Sequence, residues 1–154
     1  MTMPTNHTRA PESAPVDTPR SIDVLIVKTD GTSHRQSWTP TADGGLLDQL
    51  QGAIGGLVDV VALTDQLDMW VHDEGLYACE PNPVATLLAL AHGRRSPFYG
   101  PAVFTGGADA SGDTCGLDPR SLADLQAAAE LARADATRLA AVTVDAVAFA
   151  FAYR

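Results

Sequence analysis

The chain has 154 residues, 45% of them hydrophobic, with a formal net charge of −9 and two cysteines. That length supports one compact core rather than two ordinary domains and a linker, and its charge argues against direct binding to nucleic acid or to anionic membrane, both polyanionic. Cys79 and Cys115 are too few for a disulfide framework and lack the paired spacing of a zinc site, so both are expected to be packing residues.

Residues 1–20 contain Pro4, Pro11, Pro15 and Pro19 and almost nothing large and apolar, the composition of a disordered tail. They lack the apolar core of a signal peptide. The apolar C-terminal run is broken by Asp145 and is shorter than the roughly 20 residues of a membrane span. The expectation is a soluble cytoplasmic protein with one α+β domain over residues 21–154.

Ser21 to Val27 is rich in β-branched residues and runs into Thr29-Asp30-Gly31, a favoured hairpin turn, so Ser33 to Thr39 is predicted to return as its partner strand. Pro40 stops that strand. Asp43 is placed to cap a helix carrying Leu46, Leu47, Leu50 and Ile54 on one stripe, and Gly55-Gly56 ends it.

Leu57 to Leu63 and Leu67 to His72 form a second hairpin. With Leu63 opposite Asp68, one face holds Val58, Val60, Ala62, Leu67, Met69 and Val71 and is wholly apolar. A slip by one residue mixes the faces, so burial selects the first register. The opposite face then gathers Asp59, Val61, Asp68, Trp70 and His72, with Asp59 directly across from His72. Between Gln36 and Gly93 there is no Lys or Arg, whereas Asp43, Asp48, Asp59, Asp65, Asp68, Asp73, Glu74 and Glu80 all fall there.

Asn82-Pro83 is a cap followed by a proline at the first helical position, and Val84, Leu87, Leu88 and Ala91 give that helix its buried stripe. Arg94-Arg95 complement its dipole. Pro101 to Thr105 reads as a short strand and Gly106 to Gly116 as a solvated loop. In that loop Asp109, Ser111 and Asp113 alternate like calcium ligands, but Thr114 and Arg120 stand where the invariant Gly and the bidentate Glu belong. Asp118-Pro119 opens an alanine-rich helix with Leu122, Leu125 and Ala129 on one side, predicted to reach about Ala140. Beyond it Val147, Phe149, Phe151 and Tyr153 alternate with alanines, which reads as a strand and leaves helix as the alternative. The Gly-Gly pairs at Gly44, Gly55 and Gly106 lack the spacing and the Lys of a phosphate loop, so no cofactor is expected. The predicted order is ββαββαβα with an optional closing strand. It is expected to form one mixed sheet with helices packed on one face, in a β-grasp-like layout.

Leu50-Gln51, Gly55-Gly56, Asp59, Trp70 with Glu74-Gly75, and Asn82-Pro83-Val84-Ala85-Thr86 together resemble the family catalogued as domain of unknown function 3846, over roughly residues 22 to 117. The family more often has Glu where this chain has Asp59, and the Ala-rich C-terminus is longer here. The resemblance implies a bacterial, phage or mobile-element setting and supplies no mechanism.

Asp59, Trp70, His72, Glu74 and Asn82 are the candidate binding residues, each with an ordinary structural alternative: a cross-strand pair for Asp59 and His72, a turn for Asp73-Glu74-Gly75, a cap for Asn82. A tryptophan on a polar face is the least ordinary of them, because aromatic residues are enriched where partners bind. The expected function is an acidic binding module that meets a basic protein surface or a small ligand. The alternative is a metal-dependent or acid/base enzyme using Asp59, His72 and Glu74, which an inferred pair and one turn carboxylate support less well. A decoy imitating DNA fits the charge but not its scattered layout.

Overall fold

The computed structural model describes residues 19–152, with side chains through residue 140; the tail expected over residues 1–20 lies, but for its last two residues, outside them. β1 (Ile22–Val27) and β2 (Ser33–Trp38) form the first hairpin. Its turn is held by Asp30, whose carboxylate accepts from the Thr32 N–H at 2.9 Å, and by Gly31 at φ 85°. Helix α1 (Leu47–Ile54) follows, then β3 (Val58–Thr64), β4 (Leu67–His72), a single helical turn α2 (Gly75–Ala78), α3 (Pro83–Ala91), β5 (Ala102–Thr105) and α4 (Pro119–Ala152).

The five strands make one sheet in the order β2-β1-β5-β4-β3, and all four pairings are antiparallel. The expected mixed sheet is therefore corrected. Without a parallel pair, the β-grasp-like arrangement lacks its central feature. The helices do not share one face either. Leu25, Val27, Met69, Val71, Ala102 and Phe104 pack beneath Val84 and Leu88 of α3 and Leu122, Leu125 and Ala129 of α4. Val24, Ile26, Trp38 and Val103 pack on the other face against Leu46, Leu50 and Ile54 beside α1. Covering both faces explains the continuous apolar runs Val24 to Val27 in β1 and Ala102 to Phe104 in β5, since neither face of a central strand meets water.

Local signals account for the helix ends. Gly55 closes α1 in the left-handed region at φ 88°, where glycine carries no steric penalty. Asp43 does not cap α1: its carboxylate bonds the Thr41 hydroxyl within the preceding turn, and the first residue outside the helix is Leu46. Asp118 does cap α4, accepting from the Ser121 N–H at 2.9 Å and its hydroxyl at 2.6 Å; these bonds hold its carboxyl below the usual carboxylate range. The alternating segment after Val142 continues α4 to Ala152 and is not a strand. No Gly or Pro interrupts the chain after Pro119, and alanine's helix preference outweighs the period of two.

Candidate functional site

The second hairpin determines which residues can meet. Thr64 pairs with Leu67 beside the turn, but the expected pairing of Leu63 with Asp68 is not made: a bulge at Leu63 leaves Ala62 opposite Asp68 and shifts everything beyond it by one residue. One extra residue on one strand has this effect. Val58 then lies opposite His72, Asp59 opposite Val71 and Val60 opposite Trp70. Asp59 and His72 are thus on opposite faces of the sheet, and the expected cross-strand charge contact is not made.

Each predicted residue finds a specific place. Trp70 is half-buried against the cluster under α1, and its indole N–H donates to Thr105 Oγ1 at 3.0 Å. Its ring packs beside α1, which covers much of the face that the sequence left free. Asn82 is fully buried and its side chain is fully engaged. Its Oδ1 accepts from the Ala85 N–H at 3.0 Å, while Nδ2 donates to the carbonyls of Val27 at 3.1 Å and Gly100 at 2.9 Å. No ligand can reach it. His72 is half-buried; its Nδ1 accepts from the Glu74 N–H at 3.0 Å. A Cβ at Gly56 would come within 2.3 Å of its Nε2, so the ring lies directly on that glycine. Glu74 precedes α2 with its side chain exposed and caps nothing.

Of the five, Asp59 and His72 border one groove of about 360 Å³. Of its lining residues Val71 is buried and Val61 half-buried, forming the floor; Gly75 and Leu76 with Ser96 to Tyr99 make up the wall, and Asp59 and Asp73 are exposed at the rim. The wall is firmly built. A Cβ at Gly75 would come within 2.8 Å of the Tyr99 carbonyl, so α2 packs directly on the Ser96–Tyr99 segment. The Asn82 N–H donates to the Phe98 carbonyl at 2.9 Å and the Phe98 N–H to Thr86 Oγ1 at 2.9 Å. Asn82 therefore shapes the groove from behind. The groove residues that sequence reasoning passed over are Leu76 and the Ser96–Tyr99 wall. Leu76 is 59% exposed beside Tyr77 at 89%, and an apolar pair immediately after an acidic turn was the available signal.

The groove has an apolar base, two carboxylates and an imidazole, and no Lys or Arg among its lining residues. Among the described residues no cluster of three or more His, Cys, Asp or Glu could hold a metal ion, and no helix is long and apolar enough to cross a membrane. Cys79 is half-buried, with its Sγ 2.9 Å from where a Gly100 Cβ would be. Cys115 is exposed in the loop before α4, so the packing role expected of it is not found.

Comparison with curated proteins and with solved structures returned no match. The profile of one family, described as Domain of unknown function (DUF3846), matches residues 22–130. That span takes in all five strands, the first three helices and the opening turns of α4, and extends past the Leu117 at which the sequence resemblance stopped. The chain belongs to the DUF3846 family.

Proposed function

We propose that this protein is a small cytoplasmic binding module that takes a cationic group with an apolar stem into the groove between β3, α2 and the Ser96–Tyr99 wall. Such a group is found on a basic protein segment or on a small organic amine. The observation that carries the reading is the meeting, in one concavity, of an apolar floor at Val61 and Val71 with the Asp59 and Asp73 carboxylates on the rim. A few placed polar groups over a mostly apolar base is the common composition of a ligand site. The carboxylates favour a cation, and the valines favour the carbon chain behind it. The acid/base alternative drew on a cross-strand contact between Asp59 and His72, which the register does not make, although both border the groove.

Amide-resolved NMR titration with n-hexylamine, against hexanoate as the control, tests the reading. The amine should shift Val61, Val71, Gly75 and Leu76 with an affinity near millimolar, about −4 kcal/mol, and weaken as salt rises. Hexanoate should leave those amides unmoved. Equal response to both ions, or none to either, would end the proposal.

A further inference from the structure

Two residues that line the groove, Asp59 and Val61, lie on an outer strand of the sheet. β3 is one outer strand and β2 the other, and the two edges differ in kind. β2 reads Ser-His-Arg-Gln-Ser-Trp, polar along most of its length. β3 reads Val-Asp-Val-Val-Ala-Leu-Thr and has neither Lys nor Pro, two residues that keep an edge from pairing, and its bulge at Leu63 lies beside the turn and leaves Val58 to Ala62 in regular register. Val60 on it is 44% exposed.

The backbone direction along β3 can be assigned from its bonds. Leu57 accepts from the Asp73 N–H at 2.9 Å on the inner side, so alternate residues, Val58, Val60 and Ala62, turn their N–H and C=O groups outward. Two of these outward groups are occupied by side chains. The Val60 N–H donates to Asp59 Oδ1 at 2.8 Å, and the Ala62 carbonyl accepts from the Arg94 guanidinium. Both side chains are exposed and can swing away. They are substitutes for a missing neighbour strand.

We propose that an extended, lysine- or arginine-bearing peptide segment adds to β3 as a sixth strand, displacing the Asp59 and Arg94 contacts and laying alternate side chains over the groove. This rests on the groove reading above and specifies the partner's form. Side chains of the added strand on the Asp59 and Val61 side lie over the groove and its carboxylates. Those on the other side meet Val58, Val60 and Ala62. Once Asp59 releases the Val60 N–H, its carboxylate is free to pair with the incoming cation. Charge selects against a second copy of this chain as the occupant, because two paired β3 edges would bring the Asp59 carboxylate of each copy to one interface with no cation on either strand.

The test uses the full chain and the synthetic peptide Lys-Val-Lys-Val-Lys-Val, compared with its analogue methylated at every backbone amide nitrogen, which keeps the side chains and removes every backbone amide donor. The unmodified peptide should bind, slow hydrogen exchange at the Val60 amide, and bind about tenfold or more tightly than the methylated one, the equivalent of losing one or two backbone bonds. Arg94→Ala, which uncovers the Ala62 carbonyl and removes a repelling charge, should tighten binding. Equal affinity for both peptides, or an unchanged Val60 exchange rate, overturns strand addition while leaving the groove reading intact if hexylamine still binds. Self-association of the chain that protects Val60 without peptide also overturns it, by making a second copy the occupant. Failure of the peptide and of hexylamine together removes the groove reading as well.

Discussion

Replacing Asn82 should cost more than the loss of a helix cap, and the size of the excess follows from its three side-chain bonds. In Asn82→Ala the Ala85 N–H loses its acceptor, which for a cap costs about 1 kcal/mol. The carbonyls of Val27 and Gly100 each lose a buried donor, at about 1 kcal/mol apiece. The sum, about 3 kcal/mol, is a large share of the roughly 5–15 kcal/mol that holds an ordinary domain together. With a slope of about 2 kcal/mol per molar in urea, the midpoint should fall by about 1.5 M. Asn82→Asp separates the two effects, because it keeps the cap acceptor and turns the donor into a second acceptor facing two carbonyls. Burial and those oxygens would raise the new carboxyl's pKa in the folded chain. A group whose folded pKa is raised favours the folded state while protonated. The Asp variant should therefore be most stable in acid and lose stability as pH rises from the unfolded value of about 3.9 toward the raised one. Urea unfolding followed by circular dichroism at several pH values measures both. An Ala variant within about 1 kcal/mol of the parent, the cost of a cap alone, would refute the claim that the Nδ2 bonds tie α3 to β1 and to the groove wall.

Trp70→Ala should destabilise by about 2–3 kcal/mol, below the roughly 3–5 kcal/mol of a fully buried aromatic because the ring is only half-buried; a loss under about 1 kcal/mol by urea unfolding would restore it as a free surface residue. Gly56→Ala should cost about 1–3 kcal/mol by driving a methyl into the His72 ring. A double-mutant cycle with His72→Ala should recover part of that cost, and strict additivity would show that the ring is not the obstacle. Burial raises the Asp68 carboxyl above its ordinary pKa, so its contribution to stability is greatest in acid and is lost as pH rises through that raised value. Asp68→Asn should accordingly raise the melting temperature at neutral pH, with the gain fading below the ordinary Asp range; a gain independent of pH would contradict the cause.

Local punctuation was legible from residues alone. Asp30-Gly31, Gly55, Asn82-Pro83 and Asp118-Pro119 act through backbone geometry that depends on a few neighbours, and each turn or helix end lies where those residues put it. What depended on packing between distant elements was not legible. Whether Trp70 faces solvent is decided by α1 crossing that side of the sheet, and no period along β4 reports that. The bulge at Leu63 is a second instance. The apolar-face criterion put Leu63 opposite Asp68, but one extra residue there sets Ala62 opposite Asp68 and moves Asp59 away from His72 farther along the strand. Asp59 and His72 still border one groove because it sits at the end of the hairpin, where α2 and the Ser96–Tyr99 wall close around the sheet.

In the proposed site Asp59 and Asp73 act together as the cation anchor. The most direct measurement is the affinity of n-hexylamine for the parent and for the Asp59→Asn/Asp73→Asn double variant, at low and at physiological salt. The parent should bind and weaken with salt, and the variant should lose most of the affinity together with the salt dependence. A variant that binds as tightly as the parent, with the same response to salt, would contradict the account.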